Sequence, residues 1–126
     1  MAHKPASAQL GRNGERLAQT FLESLGYRFV ARNWHCASGE LDLIMLDGNE
    51  LVFVEVKTRR GERSGRAGEA VSPSKATKLL RAAEWFIAQH AEHHDRVWRC
   101  DLVAITMSVS APTPRILHYV NAIVMG

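Results

Sequence analysis

The sequence predicts an α/β fold in which a mixed β-sheet is flanked by helices, and three features carry that prediction. Apolar residues recur at helical spacing in two separate stretches, one near the N-terminus and one from Pro73 to about Ala91. Runs of strand length, rich in β-branched and apolar residues, fill most of the remainder. Two of them flank Asp47-Gly48-Asn49-Glu50, the strongest hairpin signal in the chain. The order reads α-β-β-β-α-β-β, and an early hairpin combined with a crossover helix inside the strand series makes the sheet mixed.

The first nine residues (MAHKPASAQ) read as a flexible tail, leaving residues 10–126 as a single domain, the size that 126 residues with 46% hydrophobic content suit. From Leu10 to Leu25, Leu17, Phe21 and Leu25 fall at i, i+4 and i+8 beside Ala18 and Leu22, and Gly26 follows as a C-cap. Tyr27 to Trp34 suits a short first strand. Gly39 to Leu46 and Leu51 to Thr58 are the hairpin strands, joined by a turn of two residues (Gly48, Asn49) or four (Asp47 to Glu50). Arg59 to Val71, with three glycines and four arginines, reads as a mobile loop. Ser72-Pro73 supplies an N-cap and an N1 proline for the second helix, along which Leu79, Leu80, Ala83, Phe86 and Ile87 repeat at helical spacing. Val97 to Met107 and Ile116 to Val124 complete the sheet, with Pro112 and Pro114 in the turn between them.

Several function classes are excluded at once. No apolar run approaches the ~18 to 20 residues needed to cross a bilayer, and the N-terminus lacks a signal-peptide core, so a cytoplasmic protein without a membrane partner is expected. Cys36 and Cys100 have neither the number nor the spacing for a disulfide framework or structural zinc. His90, His93 and His94 cluster where a second helix should end, a place more suited to capping than to a metal. The net charge of +3 conceals a local excess: Lys57 to Arg81 holds eight bases against two acids, net +6 in 25 residues, while the rest is net −3. A positive field confined to one stretch fits a polyanion, most economically nucleic acid.

The hairpin carries the chemistry. Either turn length pairs residues whose numbers total 97, which sets Asp42 opposite Glu55 and Glu40 opposite Lys57, all on one face. Facing carboxylates in otherwise apolar strands destabilise a sheet unless something compensates them. A hard divalent cation would, since Mg²⁺ commonly uses one or two carboxylates with phosphate and water. Lys57 would then stand beside it, able to hold an attacking water or offset transition-state charge. The inert reading of the same residues is a salt-bridge cluster of Asp42 and Glu55 with Lys57 and neighbouring arginines. Lys75 and Lys78, three apart on the second helix, could grip phosphates, and Asp101 reads either as a support behind the site's ligands or as a structural partner.

Asp42, then Glu55-Val56-Lys57 after a twelve-residue interval, resembles the D…ExK signature of the restriction-endonuclease-like PD-(D/E)xK superfamily, whose core is an αβββαβ unit. More narrowly, Gly14-Glu15-x-x-Ala18, Gly39-Glu40-Leu41-Asp42-Leu43-Ile44 and Val54-Glu55-Val56-Lys57-Thr58-Arg59 resemble the YraN family of small bacterial proteins, similar in fold to archaeal Holliday-junction resolvases. The likeness extends from about Gly11 to Val120, with Leu41 where the superfamily's proline would stand. It implies Asp42 and Glu55 as metal ligands, joined by Glu15 and the Val56 carbonyl, and Lys57 as the catalytic lysine, with Asp42 and Glu55 catalytic through the metal. The function so implied is a Mg²⁺- or Mn²⁺-dependent endonuclease hydrolysing phosphodiester bonds in DNA, branched or structured DNA included. Arg59, Arg60, Arg63, Arg66, Lys75 and Lys78 would bind the backbone, and a homodimer would suit a two-fold symmetric junction. The competing reading is a non-catalytic nucleic-acid-binding or adaptor module on a nuclease fold.

Overall fold

A computed structural model describes residues 6–61, 71–108 and 110–124, with side chains from residue 11 onward. Helix α1 (Ala6–Ser24) leads into β1 (Arg28–Cys36), β2 (Gly39–Asp47) and β3 (Glu50–Arg60), then α2 (Pro73–Gln89), β4 (Trp98–Met107) and β5 (Arg115–Tyr119). The strands form one sheet in the order β1-β2-β3-β4-β5, parallel only between β3 and β4. The mixed α/β sheet read from the sequence is therefore the observed one. Its parallel pair is the one joined through α2, since a crossover helix returns the chain to the same end of the sheet.

Each helix covers one face. Against α1 pack Leu43, Met45, Val52, Val54, Val103 and Ile105, with Ala18 and Leu22 from the helix. Against α2 pack Ile44, Leu46, Leu51 and Phe53, with Leu79, Leu80, Ala83 and Phe86 from that helix. The alternation of β2 and β3 thus feeds two cores at once, which explains why both strands read as nearly continuous apolar runs. The caps are as expected: Gly26 adopts φ 96° after α1, and the Ser72 hydroxyl accepts from the Lys75 N–H at 3.3 Å ahead of Pro73. No helix among the described residues is long and apolar enough to cross a membrane.

Several boundaries differ from expectation, the largest as follows. Helix α1 starts at Ala6 rather than Leu10, because Ala6, Ala8 and Gln9 carry helix propensity of their own, which an apolar stripe does not register. Strand β3 runs on to Arg60, so Arg59 and Arg60 belong to the sheet, held by parallel pairing with Thr106 and Met107 of β4. The rest of the anticipated loop, with Arg63 and Arg66, lies outside the described residues. Strand β5 ends at Tyr119 instead of Val124: Asn121 takes φ 53° and turns the chain, so that Ile123 enters the α2-side core and its N–H donates to Cys100 O at 3.2 Å. Helix α2 stops at Gln89, and His90 stacks on Phe86 with ring centroids 3.9 Å apart while Nδ1 lies 2.7 Å from Phe86 O. His93 is buried and receives the Arg96 Nε–H at 3.0 Å. These two histidines serve packing.

Candidate active site

The site is built where β2 and β3 part. Their antiparallel register, Asp47 with Glu50 through Leu43 with Val54, keeps the total of 97 around the two-residue turn Gly48-Asn49. There the ladder ends. One step farther, the Val56 N–H donates to Asp42 Oδ2 at 3.0 Å, so a side chain has replaced the main-chain acceptor. The expected Glu40–Lys57 pairing is accordingly not formed. Glu40 instead lies across from His35 of β1, its carboxylate 3.2 Å from His35 Nδ1.

The fork sets Asp42 beside Glu55, which is only 5% exposed. Burial first, then the hydrogen bond and charge of Glu55, push the Asp42 carboxyl up to about 9, while the Val56 N–H pulls the other way. The charge of Glu15 on α1 also raises it, by the smallest of these effects. Glu15 is itself raised, by burial above all, against a hydrogen bond from Asn33.

Helix α1 makes a close approach to β3. Gly14 and Ala18 are both buried on the inner side of α1, and a methyl group on Gly14 would overlap the Thr58 hydroxyl of β3. The Gly-Glu-x-x-Ala spacing therefore has a physical reading: small residues let the helix touch the strand, and the glutamate between them sits beside Asn33 of β1. The Thr58 hydroxyl is buried there without a hydrogen-bond partner among the described residues.

A recess of about 270 Å³ opens over the pair on the α2 side, lined by Glu40, Asp42, Glu55, Lys75 and Lys78 among others. Lys75 does not stand free for phosphate: its Nζ lies 2.6 Å from Glu55 Oε2, and that hydrogen bond raises the lysine's pKa more than burial lowers it. The inert cluster weighed for these residues thus exists in part, with Lys75 in place of Lys57. Lys57 is two residues beyond Glu55 on β3, hence on the same face, and partly buried. Lys78 borders the recess. Arg59 is partly buried and Arg60 exposed at the end of the strand.

Among the described residues no three His, Cys, Asp or Glu side chains converge to hold an ion by themselves. The donor set still fits a hard cation. It offers two adjacent carboxylates beside an open recess, and burial, with Glu55 alongside, makes one of them bind its proton far more tightly than usual.

Sequence reading missed a second set of cations. Arg12, Arg16 and Arg32 line a recess of about 80 Å³ with Glu15 and Asn33, beside the carboxylates but on the α1 side. Arg12 and Arg16, four apart, flank Glu15 on one helix, a signal that charge counting over the Lys57 to Arg81 window could not register.

The model of the Uncharacterised protein family UPF0102 matches residues 14–105, from the glycine at the Thr58 contact to the end of the β4 core. UPF0102 proteins resemble the chain over nearly its whole length: that of Roseiflexus castenholzii is 40% identical over 91% of this chain and 93% of its own, and that of Mycolicibacterium vanbaalenii 41% over 94% and 96%. The Stutzerimonas stutzeri protein is 47% identical over 79% of this chain and 83% of its own. With fold, motif spacing and relatives in agreement, the chain belongs to the UPF0102 family of YraN-like bacterial proteins.

Proposed function

We propose that this protein is a divalent-metal-dependent nuclease acting on DNA in the cytoplasm, on the pattern of the PD-(D/E)xK superfamily. One observation carries the reading: Asp42 and Glu55 are withdrawn from water side by side at a fork in the sheet, an arrangement that costs free energy until a cation joins it. Asp42, Glu55, the Val56 carbonyl and Glu15 are the groups to hold Mg²⁺ or Mn²⁺. The ion, when bound, would polarise a phosphoryl oxygen and neutralise charge as the phosphodiester is hydrolysed.

The chain's own cations divide the remaining work. Lys57 orients the attacking water or offsets charge developing on phosphorus. Lys78, Arg59 and Arg60 on one side, and Arg12, Arg16 and Arg32 on the other, hold the strand's phosphates at either side of the fork. Lys75 holds Glu55 in place until DNA and metal arrive.

That ion pair also favours a second reading. A glutamate already neutralised by a lysine has less need of metal, as in a binding module on a nuclease fold that no longer cuts. A panel of linear, flapped and four-way DNAs, incubated with Mg²⁺, Mn²⁺ or chelator, separates the two. The nuclease reading expects metal-dependent cleavage that Lys57→Ala abolishes while DNA stays bound. Binding without cleavage by the unaltered protein, and no calorimetric signal for millimolar Mg²⁺ or Mn²⁺, would replace it with the binding module.

A further inference from the structure

The three tryptophans are employed differently. Trp34 meets Phe86 edge to face at 5.3 Å, and Trp98 meets Phe53 likewise at 5.6 Å, so both rings belong to the α2-side core. Trp85 points away from that core and is 49% exposed, and among the described residues no aromatic ring lies against it. A lone exposed aromatic is ordinary on a protein surface. The neighbours of Trp85 are what distinguish it. Ser74, Lys78, Arg81 and Trp85 fall at i, i+4, i+7 and i+11, one line along the outer face of α2, opposite the buried Leu79, Ala83 and Phe86. The line starts at the carboxylate recess, of which Ser74 and Lys78 are walls, and ends in a shallow groove of about 380 Å³ formed by Arg81, Glu84, Trp85 and Ala88.

We propose that this groove is a stacking site for an unpaired nucleobase, and that the substrate of the neighbouring fork is accordingly DNA with a single-stranded segment, such as a flap. The inference rests on the nuclease reading and specifies its substrate. Lys78 and Arg81 supply the positive track for phosphates leaving the recess, and Trp85 supplies a π-face for a base, which stacks without regard to sequence. The four residues from Arg81 to Trp85 rise about 6 Å along the helix. That is close to two steps of a stacked strand at about 3.4 Å each. Glu84 repels a phosphate but not an uncharged base, so it favours the backbone on the Lys78–Arg81 side and the base on the indole. A second copy of this chain docking here would bring two net positive faces together, which argues against that occupant.

The test uses the full-length protein in chelator, with fluorescent probes that are blunt duplex, the same duplex with a flap, or single strand. Trp85→Ala should weaken binding to the flap and the single strand about tenfold and leave the blunt duplex unchanged. Trp85→Phe, which keeps a ring, should bind the flap within about threefold of the unaltered protein. Flap and duplex affinities that fall together, or not at all, in Trp85→Ala overturn the stacking site while leaving the nuclease reading intact. Conversion of a dimer to a monomer by Trp85→Ala, seen in sedimentation with affinities unchanged, overturns it in favour of self-association. Failure of the unaltered protein to bind any probe overturns the nucleic-acid reading itself.

Discussion

Asp42 and Asp101 are two aspartates withdrawn from water on strands of one sheet, at nearly the same level, yet their surroundings move their acidities in opposite directions. Asp101, fully buried, would be raised by burial, but hydrogen bonds from His118, the Asn121 N–H and Arg99 together bring it below the ordinary carboxylate range. Their distances are 2.7, 2.8 and 3.0 Å, and the His118 Nε2–H is the donor to Oδ2. Arg99 goes on to Glu50, Asp47 and the Tyr27 hydroxyl, tying the hairpin turn to β4 and to the end of α1. Asp42 has one N–H and the carboxylates of Glu55 and Glu15 acting on it, while the nearby Lys75 is held by Glu55. A buried carboxylate surrounded by donors is a joint of the fold, whereas one surrounded by carboxylates is waiting for charge from outside the chain.

The largest effect expected from this contrast is at Asp101. Asp101→Ala leaves Arg99 and His118 buried without their acceptor and should lower stability by about 3 to 5 kcal/mol, read from urea unfolding. A loss below 1 kcal/mol would mean that Glu50 and Asp47 alone satisfy Arg99. Next comes the contact that sets α1, and with it Glu15, against β3. Gly14→Ala forces α1 away from Thr58 and should cost about 1 to 3 kcal/mol. It should also weaken Mn²⁺ binding in calorimetry, and unchanged binding would remove Glu15 from the ligand set.

The two aspartates should also tilt the pH dependence of stability in opposite senses, each by at most about 1.4 kcal/mol per pH unit. Asp101, depressed in the folded state, contributes stability present above its unfolded pKa and lost as pH falls below about 4. Asp42, raised toward about 9, holds its proton more tightly folded than unfolded, so stability falls as pH rises from about 4 toward 9. Thermal melts across that range should show the alkaline slope flattened in Asp42→Asn and retained in Asp101→Asn; the reverse pattern would exchange their roles. The last effect is a gain: Asp42→Asn keeps an acceptor for the Val56 N–H and spares the fold the proton that Asp42 must take up at pH 7, so the variant should be the more stable of the two there. Mg²⁺ should raise the melting temperature of the unaltered protein and not of this variant. An equal rise in both would show that Asp42 holds no ion.

Sequence reading fixes only some of these features. Local rules set the elements: the stripe of Leu17, Phe21 and Leu25, the Gly26 and Ser72-Pro73 caps, and the two-residue turn at Gly48-Asn49 follow from periodicity and φ preference, which act over a few residues. The hairpin register is similarly local, and one step past its last pair, Leu43 with Val54, it sets Asp42 across from Glu55. What the sequence could not show is which distant groups complete each environment. Lys75, twenty residues beyond Glu55, reaches it only because α2 crosses back over the fork. Arg32 joins Arg12 and Arg16 only because β1 lies beside α1. Asp42 is set beside Glu55 by the hairpin register, whereas no spacing brings a donor to Asp101. His118 and Arg99 reach Asp101, and Lys75 reaches Glu55, only through packing between elements, because a buried charge is governed by what lies within a few ångströms of it rather than by its neighbours along the chain.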